Sequence, residues 1–303
     1  MSRTLSDVIR AYRDDKTSDH HRLSFKVRID RERYLARLER EFGSRALSSI
    51  NGQTLGMWYR RWTDGRKFAV GNAFIGQLRA SVRHGFLSAE DEECYRVLMA
   101  LDNISTRSVK PRGTQLTEQH VNAVRAKARE IGYFSIALAQ AFQYELMLPQ
   151  REVIGEWLPR SEGGDGIPSR FDDKVWVGGL RWEQIDENWI LTHKGSTCKG
   201  RIDLKQATMV REELGHVVQL WGALPKSGPV IIYEANAEPW NDKKFREVWR
   251  KLANIVNVPR EFKNRDSHGG IRNVLIAGRY YLDLPRRRPG QRCSRDCRYW
   301  CGH

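Results

Sequence analysis

A chain of 303 residues with 52 Lys and Arg against 37 Asp and Glu carries a net charge of +15, and 40% of its residues are hydrophobic. At roughly 100–200 residues per domain this length suits two domains rather than a disulfide-stapled miniature, and no apolar run approaches the ~18 residues of a membrane helix. The positive surplus points to a polyanionic partner, nucleic acid ahead of an anionic membrane.

Met1-Ser2-Arg3-Thr4 leads straight into an amphipathic pattern with no apolar signal core, so the cytoplasm is the expected compartment. The first hundred residues read as four or five helices. Leu5, Val8, Ile9 and Tyr12 recur at helical spacing, as do Tyr34, Leu35, Leu38 and Phe42 before Gly43. Further helices are expected around Trp58 and Trp62, from Phe68 to Phe86, and from Ser88-Ala89-Glu90-Asp91, where Ser88 is the expected cap. Arg60, Arg61, Arg66, Lys67, Arg79 and Arg83 lie on the polar faces, a pattern that suits phosphate contacts and equally a solvated surface.

From Asp102 to Gly113 the pattern lapses into a polar, basic stretch with Pro111 and Gly113, read as a linker. Thr117 is then placed to cap a helix whose Val121, Val124, Ala128 and Ile131 share a face, with Gly132 as its stop. A second helix is expected from Phe134 to about Leu148. Ser161 to Gly166 reads as a loop. Val175-Trp176-Val177, Trp189-Ile190-Leu191 and Ile202-Asp203-Leu204 read as strands of a small antiparallel sheet. Helical periodicity returns at Ala207 to Leu220 and at Lys243 to Ile255. The fold class is therefore α+β, an all-α first domain followed by a mixed second one.

Three strings carry a more specific signal. They are Tyr144-Glu145-Leu146-Met147-Leu148-Pro149-Gln150-Arg151-Glu152-Val153-Ile154-Gly155-Glu156-Trp157, then Gly179-Leu180-Arg181-Trp182-Glu183-Gln184-Ile185, and Asn264-Arg265-Asp266-Ser267-His268-Gly269-Gly270-Ile271. In these strings and in the order of its elements the chain resembles the tyrosine recombinase (phage integrase) family. The resemblance divides it into a helical DNA core-binding domain at 1–101, a basic linker at 102–113, an integrase-like catalytic domain at 114–278 and a basic Cys/Arg-rich tail at 279–303, expected to be disordered. It implies DNA integration and recombination by strand cleavage and rejoining, carried out on double-stranded DNA by a tetramer of a mobile-element protein, nucleoid-associated, with no metal or cofactor.

The chemistry so implied needs two arginines to hold the non-bridging oxygens of the scissile phosphate, because developing charge must meet fixed donors. A hairpin lysine protonates the departing 5′ oxygen, and a tyrosine attacks phosphorus to form a phosphotyrosine. Carried over residue by residue, the family's first arginine falls on Pro149, which cannot grip a phosphate. Arg151, two residues on, is the candidate substitute for it, although that offset turns a helical side chain about 200° away and it also reads as an ordinary surface arginine. For the acid lysine the hairpin offers Lys199 first and Lys194 second, both equally readable as solvated turn lysines. In the second arginine block His268 stands where related integrases have arginine. A rival register takes His268 and Arg272 as the family's histidine-to-arginine pair at a spacing of four instead of three. Tyr299 lies 31 residues after His268, near the distance expected of the nucleophile, in Asp296-Cys297-Arg298-Tyr299-Trp300-Cys301 without the expected neighbours. The clamp is damaged under either register, and the alternative to an impaired recombinase is a DNA-binding protein that keeps the fold without the reaction.

Of the five cysteines, Cys94, Cys198, Cys293, Cys297 and Cys301, three crowd the last eleven residues, which is not how a disulfide framework is spread, so all read as reduced. Cys293, Cys297, Cys301 and His303 match the ligand count of a structural zinc site at an unusual spacing. A basic tail adding nonspecific affinity for nucleic acid is the other reading. The likeness stops beyond Ala277-Gly278, where Arg and Cys become frequent and helical pattern ends. A shifted reading frame near codons 272–279 would produce this change. Re-reading the coding DNA downstream in the other two frames is expected to reveal a Gly-His block and a Thr-rich approach to a tyrosine, and their absence from both frames counts against a shift.

Overall fold

Helix-forming and strand-forming signals separate cleanly along the chain, and the computed structural model follows that division. It describes residues 3–108, 115–195, 199–268, 280 and 282. The chain falls into two compact units, Met1–Arg112 and Gly113–His303.

The first unit is all helical: α1 Leu5–Asp14, α2 Phe25–Phe42, α3 Gly52–Trp62, α4 Phe68–Ala89 and α5 Glu92–Asp102. Thr4 starts α1 through a reciprocal capping box with Asp7, and Asn51 caps α3 by accepting from the Thr54 amide. The apolar stripes then meet in one core. Its centre is aromatic, with Phe42 stacked on Trp58 at 4.0 Å between ring centroids and Trp62 on Phe74 at 4.7 Å, arrangements worth about 0.5–1.5 kcal/mol each beyond area burial. The expected cap at Ser88 is corrected: α4 continues through Ala89, the Ser88 hydroxyl donates back to the His84 carbonyl, and Asp91 caps α5 by accepting from the Cys94 amide. Cys94 is a free thiol inside this core. Burial pushes it up to about 12, so it stays an unreactive thiol.

The second unit is built around one helix. It comprises α6 Glu118–Glu130, α7 Phe134–Glu145, α8 Gln150–Ile154, β1 Glu156–Pro159, α9 Arg160–Gly163, β2 Ile167–Pro168, β3 Lys174–Val177, β4 Ile190–Lys194, β5 Lys199–Asp203, α10 Thr208–Trp221, β6 Ile232–Tyr233, β7 Glu238–Pro239 and α11 Asp242–Ile255, followed by a 3₁₀ turn at Asn264–His268. Thr117 caps α6 as its position predicts, and Gly132, at φ +83°, turns the chain after it in the left-handed region open to glycine. The strands form three separate antiparallel sheets, β1-β3-β2, β4-β5 and β6-β7. The three strand runs foreseen from the sequence thus divide between two sheets, and part of the Ser161–Gly166 loop is the short helix α9.

Nearly every face of α7 is buried, including Ser135, Gln140, Gln143 and Glu145. A buried polar helix requires partners for each such group. Ser135 accepts at Oγ from the Trp240 indole at 2.8 Å and donates its amide to Glu234 at 2.7 Å. Glu145 accepts from the Val210 amide at 3.0 Å, thereby satisfying the first turn of α10, whose own cap position Ala207 has no oxygen to offer. Burial pushes the Glu145 carboxyl up, against the pull of the α10 amides and the Tyr280 hydroxyl.

Arg125 of α6 is buried and binds the equally buried Glu213 of α10 at 2.7 Å and Glu212 at 2.6 Å. Burial raises Glu213, while Arg125 and Arg129 draw it back. Removing one partner of a buried pair leaves an uncompensated charge at a cost of about 3–5 kcal/mol. Arg125→Ala is therefore expected to lower unfolding free energy by about that amount in urea titrations. The deficit should be smallest in acid, where Glu213 can be neutral, and grow as pH rises through its elevated folded pKa.

Candidate active site

Two segments flanking α7 and one hairpin hold the residues singled out by the sequence. The first segment is α8, which begins after Pro149. The Pro149 carbonyl accepts from the amides of Glu152 at 2.9 Å and Val153 at 3.2 Å, so proline serves as an ordinary helix start with no donor to present. Arg151 is exposed, and its guanidinium is ion-paired with the buried Glu156 carboxylate at the opening of β1. Gln150 fixes the same turn to α11 by donating to Asp242 at 2.6 Å.

The second segment is the Asn264–His268 turn, anchored to α7 through one buried amide. Gln140 donates from Nε2 to the Ser267 hydroxyl at 2.9 Å, and its Oε1 accepts from the Trp249 indole at 2.5 Å. The Ser267 hydroxyl in turn donates to the Asn264 carbonyl at 2.5 Å. The Asp266 carboxylate accepts from the Lys263 amide at 2.7 Å, and the Asp266 carbonyl accepts from the Leu116 amide at 3.3 Å. The string Asp266-Ser267 is thus the buried base of the turn that ends at His268.

The hairpin pairs β4 with β5 in a register that sets Lys194 opposite Lys199. Alternation along β4 buries Leu191 and His193 and leaves Thr192 and Lys194 exposed. His193 faces inward onto α8, with Nε2 at 2.8 Å from Glu152 Oε2. Its Nδ1 is buried without a hydrogen-bond partner among the described residues, which fits the tautomer carrying its proton on Nε2 and leaves no buried N–H unpaired. A hydrogen bond to a charged group of this kind contributes about 1.5–3 kcal/mol. Gly195 completes the seat: a Cβ there would lie 2.0 Å from Glu152 Oε2 and 2.3 Å from His193 Nε2. The lysine hairpin is therefore pressed onto α8 with no room for a side chain at its first turn residue.

The structure seats the β4–β5 hairpin on α8 through the Glu152–His193 pair, with Lys194 on the opposite, exposed face of β4, and it seats the Asn264–His268 turn on α7. Arg272 and Tyr299 lie outside the described residues, as do Cys198 and the terminal Cys/His cluster. No group of three or more His, Cys, Asp or Glu suited to a metal occurs among the described residues. Sequence reasoning overlooked His193 and Gln140. The alternation in β4 was the available signal for His193, since it shares a face with Leu191. Nothing local marks Gln140, whose three partners come from 109 to 127 residues away.

No family model matches the sequence, and no curated protein matches it. Solved structures do. A lambda integrase dimer bound to a COC′ core site superposes with a TM-score of 0.64 at 13% identity, over 92% of this chain and 90% of that one. A lambda integrase tetramer bound to a Holliday junction gives 0.60 at 12%, over 92% and 71%. The Tn1549 transposon integrase in complex with circular intermediate DNA gives 0.57 at 14%, over 94% and 97%. The chain has the tyrosine recombinase fold. Within that class its likeness extends to a phage and a transposon integrase alike.

Because the Glu152–His193 contact occupies the space beside Gly195, Gly195→Ala is expected to unseat the hairpin. Overpacking of this kind costs about 1–3 kcal/mol, to be read as a lowered denaturation midpoint. Faster proteolytic nicking at the hairpin should accompany it.

Proposed function

We propose that this protein is an integrase-type, DNA-binding recombinase whose strand-cleavage chemistry is impaired. The observation that supports the reading is at α8: Pro149, which the resemblance puts in register with the first phosphate-holding arginine, starts the helix, and the neighbouring Arg151 is paired with Glu156. A guanidinium already paired with a buried carboxylate would have to break that pair to reach a phosphate, leaving Glu156 charged and buried.

The remaining roles follow from the resemblance. Lys199, with Lys194 as its alternate, is the acid for the leaving oxygen. His268 holds a phosphate oxygen in place of arginine, or pairs with Arg272 in the other register, and Tyr299 is the nucleophile. Double-stranded DNA is the partner, and a tetramer is the assembly in which exchange would be completed. The +15 charge supports binding that falls steeply with salt as counterions are released. A cytoplasmic, nucleoid-associated location goes with that partner. Among the described residues no helix is long and apolar enough to cross a membrane. A second reading, a DNA-binding protein without any cleavage, is favoured by the same α8 geometry and differs only in the covalent step.

Incubation with a nicked suicide duplex separates the two. The impaired recombinase gives a salt-sensitive gel shift and a faint denaturation-resistant protein–DNA band that Tyr299→Phe abolishes. A purely binding protein gives the shift alone. A strong band overturns impairment, and no shift at low ionic strength overturns the DNA-binding reading altogether.

A further inference from the structure

The helical unit contains a basic cleft that none of the chemistry above uses. It measures about 550 Å³ and lies between the end of α1 with its following loop, the first half of α2 and the middle of α4. Its width comes from small residues: Gly76 and Ala80 of α4 line it where longer side chains would fill it. Arg79 and Arg83, one turn apart on α4, and Arg31 of α2 project along its sides.

Two of these arginines, Arg31 and Arg83, differ from their neighbours in what they touch. On α1 Arg10 is paired with Glu39 at 2.9 Å and Arg13 with Glu32 at 3.0 Å, and on α2 Arg37 is paired with Glu41 at 2.6 Å. Arg79 is steadied by Asp102 at 3.1 Å and the Leu101 carbonyl at 2.9 Å. Arg31 and Arg83 have no carboxylate within ion-pair distance among the described residues. Asp19 is the one acidic side chain lining the cleft, and it leans on Arg22 at 3.6 Å.

Tyr12 lies under the arginines. It is 1% exposed, and its hydroxyl proton has no acceptor among the described residues, while the Arg31 guanidinium lies close enough to donate to the oxygen. The ring is held between His20 and His84, at 5.4 and 5.7 Å between centroids, and His84 is itself anchored to Asp15 at 3.2 Å. Burial pushes the phenol up, with Arg31 the leading opposing influence, so the group stays protonated and able to donate. A buried donor without an acceptor costs about 1–3 kcal/mol, a cost that a bound anion would remove.

We propose that this cleft is a phosphate-binding site, in which Arg31 and Arg83 grip the phosphate oxygens and the Tyr12 hydroxyl donates to one of them. Guanidinium forks match the oxygens of a phosphate two at a time. The cleft volume exceeds that of a bare ion, so the phosphate arrives as part of something larger, either a free phosphomonoester of nucleotide size or a phosphodiester of a DNA backbone. The inference stands on the helical unit alone and does not depend on the fate of the cleavage chemistry.

Two readouts on the full chain distinguish the sources, each comparing Arg31→Gln, Arg83→Gln and Tyr12→Phe with Arg10→Gln as a charge-matched control outside the cleft. Adenosine monophosphate is followed by its ³¹P line width as protein is added, and duplex binding is followed over a salt series. A phosphomonoester site broadens the line in the parent and in Arg10→Gln, and each cleft variant loses the broadening. A backbone site leaves the line sharp, while Arg31→Gln and Arg83→Gln each lower the slope of log K against log[salt] by about one and Arg10→Gln does not. Tyr12→Phe then weakens duplex binding with the slope unchanged. If the cleft variants match Arg10→Gln in both readouts, the proposal is overturned. A chain that shifts no duplex but broadens the nucleotide line would sink the DNA-binding reading and leave the cleft standing.

Discussion

The second unit depends on the satisfaction of one buried polar helix. A helix sunk on nearly all faces must find partners for the polar side chains it carries, and α7 uses three of them to fix different neighbours, while Gln143 donates back to its own Ala139 carbonyl. Ser135 holds Trp240 just ahead of α11, Glu145 caps α10, and Gln140 holds the Asn264–His268 turn. Such hydrogen bonds contribute little net energy singly, but in a low-dielectric interior an unmade one is costly, so the set locks a single arrangement. The turn that ends at His268 is thereby held by buried contacts to α7.

The α8 corner and the hairpin are held by structural contacts of the same kind. Proline at 149 starts α8 at least as well as arginine would, since the position needs only a carbonyl pointing into the helix and a fixed φ. Arg151 stabilises the α8–β1 corner through Glu156. The hairpin stays seated because Glu152 and His193 meet behind it and Gly195 leaves them room. A fold held in this way does not by itself define an activity, which resides in a few side chains mounted on the scaffold.

The +15 charge is likewise spread unequally by the structure. Many arginines of the helical unit are absorbed by carboxylates at i+4 or across helices, and exposed pairs of this sort add about 0–1 kcal/mol of stability. Two arginines that such pairing leaves over, Arg31 and Arg83, meet near Tyr12, where geometry and not composition brings them together.

Helix positions in both units, the Thr117 cap, the Gly132 stop and the hairpin strands were readable in the sequence because each rests on local periodicity or on a residue whose side chain meets its own backbone. The α+β class followed from the same signals, and the absence of an arginine at position 149 could be read from neighbouring residues in register. Local signals erred where two local choices competed, as at Ser88 and Asp91, and where a strand's partner was at issue, since alternation shows which face is buried but not what covers it. The Gln140 hub, the Glu152–His193 pair, the capture of Arg151 by Glu156 and the unpaired arginines around Tyr12 were decided only by tertiary structure. Each joins residues brought together by folding, and the energy of such a contact depends on distance in space and on dielectric surroundings, which a linear order of side chains does not contain.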